Sequence, residues 1–381
     1  MAENKLIYFD NAATTKVNQE VLSTYLKISE ENFANNSSIH FEGQKASRLV
    51  DKAKDTILSL FGLSSTHQVV FTSGATEANN LAIKGYALKY RNRGRHIIVS
   101  SIEHASVLET VKQLKNEFGY EVTYLPVDQN GGINIEDLVS AISDETILVS
   151  IMAVNNEVGV INDIENIALL LKHYPKIAFH VDATQAIGKI SLNYKNVDFI
   201  SFSAHKIHGL KGSGALIKNK KIDLLPINSG GGQEDGFRSG TNDVAGDVAL
   251  CKALSLAIPN IEEKKRKIAA ISLLIYDYLT KNPDLYELNS DIENPYIINF
   301  SLKTKKASVV VEGLSNKNIM VSSISACHSK KENYSHVVKA MGKDDNLSHN
   351  TIRVSLDLSN DISEAKIFIK ELDELVRGIK Q

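Results

Sequence analysis

Cysteine is nearly absent: the 381-residue chain has two, Cys251 and Cys327, and no C-x-x-C pair. Two thiols cannot staple a chain of this size, and the missing pairs exclude the usual structural zinc patterns, so no metal is expected. A free thiol persists best under reducing conditions, which makes the cytoplasm the expected location. Long apolar runs are missing too. None approaches the roughly 18 residues of a spanning helix, so no membrane partner is expected. The first residues, MAENKLIYFDNAATT, lack the basic-then-apolar layout of a signal peptide. Charge of one sign is lacking as well: 43 Lys and Arg against 45 Asp and Glu give a net charge of -2. No bulk field draws the chain to nucleic acid. There is no G-x-G-x-x-G opening a βα turn and no G-x-x-x-x-G-K-[ST], which argues against dinucleotide and nucleoside triphosphate sites.

What is present is ordinary globular material, 43% hydrophobic and 23% charged, with internal order. Short β-branched runs at 68–72, 96–100, 121–125, 146–152, 177–181, 197–202 and 214–218 read as strands, and helical patterns such as 76–94 fall between them. That alternation predicts an α/β fold with a mostly parallel, seven-stranded sheet covered on both faces. Near residue 258 the pattern changes. A helix is expected over 259–283, bracketed by Pro259 and Pro283. After it, strands at 296–302, 319–323 and 350–356 are mixed with helices at 307–317 and 363–380. The expected division is a large domain over 15–257 and a small α+β domain from 1–14 and 258–381.

The polar residues cluster where the apolar runs end, and open parallel sheets bind ligands beyond the carboxyl ends of their strands. "VVFTSGATEANN" (69–80) is a strand, a Ser73-Gly74-Ala75-Thr76 turn and a helix, a layout whose bare amides suit a phosphate or serve as a plain capped turn. "SSIEHASV" (100–107) carries Glu103 and His104. "MAVNNEVGV" (152–160) ends its strand in Asn155, Asn156 and Glu157. "HVDATQAIGK" (180–189) places Asp182 at a strand end with Gln185 three residues on. "FISFSAHKIHG" (199–209) places Ser203, His205 and Lys206 after another strand. A phosphate turn, a carboxylate, a lysine and a ring able to stack are together what pyridoxal phosphate requires.

Eight blocks then carry a resemblance: "FTSGATEANNLAIKG", "HIIVSSIEHASVLET", "ILVSIMAVNNEVGVI", "HVDATQAIGK", "FSAHKIHGLKGSGAL", "GGGQEDGFRSGTNDV", "VSSISACHS" and "IRVSL". In this order they resemble cysteine desulfurases of the NifS/IscS type, within the class V aminotransferase family of fold type I. The resemblance runs from about residue 8 to 356 and implies a pyridoxal 5'-phosphate enzyme that takes sulfur from L-cysteine and leaves alanine. It implies that Lys206 carries the cofactor, that Asp182 pairs with its ring nitrogen and that Gln185 bonds its phenolic oxygen. His104 would stack on the ring and move protons. Ala75, Thr76, Ser203 and His205 would hold the phosphate, and Thr241 would reach the phosphate of a second subunit in a homodimer. Arg353, Asn155 and Asn35 would orient the substrate, with Arg353 matching a carboxylate through its planar fork.

Cys327 would be the nucleophile that takes the sulfur as a persulfide and passes it to an acceptor protein. It lies in "VSSISACHSKKEN", a polar stretch unsuited to core packing, where His328, Lys330, Lys331 or the substrate would help deprotonate it. Cys251, in an apolar helical pattern, is expected to be a buried structural thiol. The resemblance departs from its pattern at five positions. Ile324 stands where glycine is usual, Ala34 and Asn36 flank Asn35 in place of "GNP", and Ala204 and Leu210 replace glycine and proline. The short stretch after the last helix implies a tRNA-thiolating or thiamin-route sulfurtransferase as acceptor rather than an iron–sulfur scaffold protein. The alternative readings are a selenocysteine lyase, a class V aminotransferase, or a non-enzymatic scaffold; Lys206 and Asp182 argue against the last, and Cys327 is superfluous in an aminotransferase.

Overall fold

The computed structural model describes residues 5–323 and 334–378. A short strand β1 (Ile7–Tyr8) opens the chain. Seven strands follow: β2 (His67–Thr72), β3 (His96–Ser100), β4 (Glu121–Leu125), β5 (Thr146–Ser150), β6 (Ala178–Asp182), β7 (Phe199–Ser203) and β8 (Gly214–Asn219). Every residue of β3, β5, β6 and β7 is buried, as expected for strands covered on both faces. Their period-two geometry sends neighbours into opposite layers. Ile97 and Val99 pack with Tyr86, Val107 and Phe199 on one face, against the helices Ala75–Lys89 and Ala105–Phe118. Ile98 packs with Val149, Phe179 and Ile200 on the other, against the helices Phe41–Leu60 and Val244–Ala257.

The strand order is β2-β8-β7-β6-β5-β3-β4. Strands β4, β3, β5, β6 and β7 run parallel, while β8 is antiparallel to both β7 and β2. Strand β2 therefore points the same way as β7. The consequence is functional: the carboxyl ends of β2, β3, β5, β6 and β7 all open on one edge. The expected mostly parallel seven-stranded α/β sheet is what the chain forms.

A second sheet is antiparallel throughout, in the order β12-β13-β10-β9. It uses β9 (Tyr286–Leu288), β10 (Ile297–Leu302), β12 (Ser322–Ser323) and β13 (Thr351–Ser355), and the intervening β11 (Ile319–Met320) pairs with β1 instead. The helix expected over 259–283 spans Ile261–Thr280, and Asn260 before it adopts a left-handed conformation, φ 59°. The segment after β1 stitches the two sheets together. The Ser355 amide donates to the Phe9 carbonyl at 2.7 Å, and the Thr15 amide donates to the His205 carbonyl at 2.9 Å. Among the described residues no single helix is long and apolar enough to cross a membrane.

Candidate active site

The strand ends surround a cavity of about 340 Å³ lined by Ala75, Thr76, His104, Asp182, Gln185, Ser203, His205, Lys206 and Arg353, among others. Nine residues expected from separate parts of the sequence thus meet in one hollow. The end near Gly74 is built by a close approach of two strands. A Cβ on Gly214 would lie 2.5 Å from the Phe202 carbonyl oxygen and 2.6 Å from Gly74 Cα, so only glycine fits there. Gly74 precedes the fifteen-residue helix Ala75–Lys89 at φ 150°, and no side chain caps that helix. Ser203 takes the Ala75 amide, and the next first-turn amides, Thr76 and Glu77, are placed to meet an anion. The Ala75 amide donates to Ser203 Oγ at 2.7 Å, which fixes the serine at the same end. His205 is held by Thr14 Oγ1 at 3.1 Å. Burial, reinforced by Lys206, Lys211 and Lys189, pushes its ring down to about 4, so it stays neutral beside the cations.

At the other end Asp182 closes β6. Its Oδ2 accepts from Asn79 Nδ2 at 2.8 Å and its Oδ1 from the Thr184 amide at 3.0 Å. Asn79 also donates to Ser106 Oγ at 2.8 Å, and Ser106 Oγ lies 2.9 Å from His104 Nδ1. The Ser106 amide donates to the same Nδ1 at 3.1 Å, so in the neutral ring the proton sits on Nε2. The carboxylate and the imidazole are thereby held by one network. Beneath it, burial holds His180 at about 4, between Ser150 Oγ at 2.7 Å and Ser201 Oγ at 2.9 Å. Glu103, wholly buried just before His104, has its carboxyl pushed up to about 8 by burial, and its Oε1 accepts from Ser100 Oγ and from the Met152 amide.

Lys206 follows β7 in a single 3-10 turn, Ala204–Lys206. Its Nζ donates to the Ala12 and Ala13 carbonyls, each at 2.6 Å. Those carbonyls come from the stretch "NAATT", a contribution that sequence reading alone left unassigned. Arg353, on β13, reaches in from the second sheet. Its guanidinium donates to the Asn156 carbonyl at 2.8 Å and to Asp10 Oδ1 at 3.0 Å. Arg353 Nε is buried and has no hydrogen-bond partner among the described residues.

Other expected site residues are placed differently. Asn155 is wholly buried and does not line the cavity; its neighbour Asn156 does. Asn155 Nδ2 donates to the Ile102 carbonyl, and its Oδ1 accepts the Glu157 and Val158 amides at 2.8 and 2.9 Å. It therefore shapes the turn that presents Asn156. Asn35 is exposed and caps its own turn through the Ser37 amide at 2.9 Å. Thr241 is exposed and lines a separate hollow with Ser73, Gly212 and Arg238. Cys327, with Ile324, His328, Lys330 and Lys331, lies outside the described residues. Cys251 is half-buried rather than buried, against the core, and burial pushes its thiol up.

The arrangement fits pyridoxal phosphate. The open helix end with Ser203 and His205 suits the phosphate, Asp182 the ring nitrogen, Gln185 the phenolic oxygen and Lys206 the aldehyde carbon.

Comparison with known proteins agrees. A model of the class-V aminotransferase family matches residues 7–368. A NifS/IcsS protein homolog of Lactobacillus delbrueckii subsp. bulgaricus is 42% identical over 376 residues, covering 97% of both chains. The putative cysteine desulfurase IscS 1 of Bacillus subtilis is 38% identical, with 98% of this chain and 99% of that protein covered. A solved NifS-like protein superposes with a TM-score of 0.90 at 35% identity, covering 98% of this chain and all of that one. The structure of SspA in complex with cysteine gives a TM-score of 0.79 at 33% identity, over 92% of this chain and 98% of that one.

Proposed function

The chain belongs to the class-V aminotransferase family, and on that premise we propose how its site works as a pyridoxal-phosphate-dependent cysteine desulfurase. The observation that carries the reading is the convergence of Lys206, Asp182 and the uncapped helix end at one strand edge, with Arg353 facing them. Bound there, pyridoxal phosphate supplies an electron sink that eases loss of the substrate's α-proton and cleavage of its C–S bond.

The chain's own residues do the rest. Arg353 anchors the carboxylate of L-cysteine, using a fork already oriented by Asp10 and Asn156. Lys206 holds the cofactor and, once displaced by substrate, receives and returns protons at its Nζ. Its resting site against the Ala12 and Ala13 carbonyls keeps it at the cavity wall. His104 covers the cavity with its proton on Nε2, and Asp182 stays fixed by Asn79 and Thr184. Cys327 takes the sulfur. Its thiolate attacks the substrate sulfur, the C–S electron pair goes to the substrate carbon, and protonation of that carbon yields alanine. The new S–S bond leaves a persulfide on Cys327. A protein acceptor, a tRNA-thiolating or thiamin-route sulfurtransferase or an iron–sulfur scaffold, then removes it.

The working unit we infer is a homodimer. Two features support it: Phe33, Ile39 and Phe41 are 83%, 92% and 72% exposed around Asn35, and Thr241 lines a separate hollow rather than the cavity of its own chain. Apolar patches of this kind mark protein contacts.

Replacing Arg353 by lysine loses the bidentate fork while keeping the charge. The expected result is a KM for L-cysteine about 10- to 100-fold higher with a smaller change in kcat, the size of a charged hydrogen bond. The reaction class itself is tested by products. With L-cysteine the holoenzyme should release alanine and form sulfide in reductant. 3-Mercaptopyruvate, the α-keto acid that keeps the substrate's sulfur, as the product would establish an aminotransferase instead.

A further inference from the structure

Lys189 is a half-buried lysine behind the site, and the chemistry above leaves it unused. Its Nζ donates to Gln185 Oε1 at 2.9 Å. Gln185 Nε2 in turn donates to the Ala12 carbonyl at 2.9 Å, the same oxygen that receives Lys206. An amide has one accepting and one donating end, and an ammonium or amine at Oε1 decides which end faces forward. Gln185 is 3% exposed, so solvent does not compete for that choice.

The surroundings make Lys189 a charge partner as well. Burial and the cations Lys206 and Arg353 push its amine down to about 7, opposed by Asp357. Asp357 is itself engaged by His208 at 2.7 Å, and Lys264 donates to the Leu256 and Ala257 carbonyls at 2.8 and 2.7 Å. Lys189, His208, Lys264 and Asp357 line a second cavity of about 390 Å³, and Lys206 lines both cavities. Lys189 can thus exchange protons from behind, without crossing the substrate side.

We propose that Lys189 is a positioning residue for the cofactor, turning the NH2 end of Gln185 toward the phenolic oxygen and disfavouring a proton on the Lys206 nitrogen. The inference rests on the reading that Lys206 carries pyridoxal phosphate. A like charge in reach lowers the affinity of each amine for its proton, so removing Lys189 raises that of the Lys206 nitrogen.

The test is reconstitution of Lys189→Met, Lys189→Gln and Lys189→Arg with pyridoxal phosphate. Two quantities are read: the pH midpoint of the visible band and the dissociation constant of the cofactor. Lys189→Met should move the midpoint up by about one pH unit and weaken cofactor binding about tenfold. Lys189→Gln, which keeps a donor for Gln185, should move the midpoint equally but bind the cofactor nearly as the unmodified protein does. Lys189→Arg should leave the midpoint within a few tenths of a unit. An unmoved midpoint in Lys189→Met, or an equal shift in Lys189→Arg, overturns the proposal. If Lys189→Met does not fold, the contrast between the glutamine and arginine variants decides it in the same way. A native protein with no pH-dependent visible band would instead contradict the assignment of Lys206.

Discussion

Cys327→Ala is expected to abolish sulfur release from L-cysteine, by about a thousandfold or more, while the bound cofactor keeps its visible absorbance. The size follows from removing the nucleophile, since the steps that depend on it have no substitute. Two thiols exist in the chain, and the other is unsuited. Cys251 sits in the helix Val244–Ala257, half-buried against the core, and burial raises its thiol above the ordinary value. A thiol whose pKa is raised is less often a thiolate and so a poorer nucleophile. An unperturbed cysteine, by contrast, is a few per cent thiolate near pH 7, enough to be trapped by a bound substrate. The proposed cofactor contacts, Lys206, Asp182 and Ser203, keep their identity in this variant. Sulfide release that survives in Cys327→Ala would remove the persulfide step from the account.

Lys206→Arg should be the second large effect. Arginine retains the charge and the donors that meet the Ala12 and Ala13 carbonyls, so the fold and the melting temperature should change little. It cannot give up its proton at any working pH and so cannot act as nucleophile or base. Turnover should fall by about a thousandfold or more, the range for loss of a positioned acid–base group combined with loss of covalent holding. Borohydride should fix the cofactor to the native protein and not to the variant. A variant that is still labelled would place the attachment on another amine, and Lys189 would be the first candidate.

Much of this arrangement was legible in the sequence because each cluster follows a short, largely apolar strand. Ser73 to Thr76, Asp182 and Lys206 could be aimed at one edge before any coordinates, since parallel strands share an open end. The antiparallel insertion of β8 was not legible. Its run "GALIK" is as apolar as its neighbours, and strand direction depends on the connection rather than on composition. The helices Gln19–Glu31 and Phe41–Leu60 escaped notice because the former buries only Val21 and the latter is rich in charged residues. The three-residue strand Tyr286–Leu288 is too short to show an alternation. Within the site, Asn155 and Asn156 are indistinguishable as letters. Only the turn geometry decides that the first is spent on the Glu157 and Val158 amides and the second borders the cavity. Backbone acceptors such as the Ala12 and Ala13 carbonyls have no signature in side-chain identity, and Lys189 reads as an ordinary surface lysine until Gln185 is seen beside it.

The central claim is that sulfur leaves L-cysteine onto Cys327. The direct measurement is a single turnover without acceptor or reductant, in which released alanine is quantified and the protein's peptides are weighed by mass spectrometry. The account expects alanine in step with one added sulfur on the peptide that contains Cys327. Sulfur on the Cys251 peptide, or no alanine at all, would contradict it.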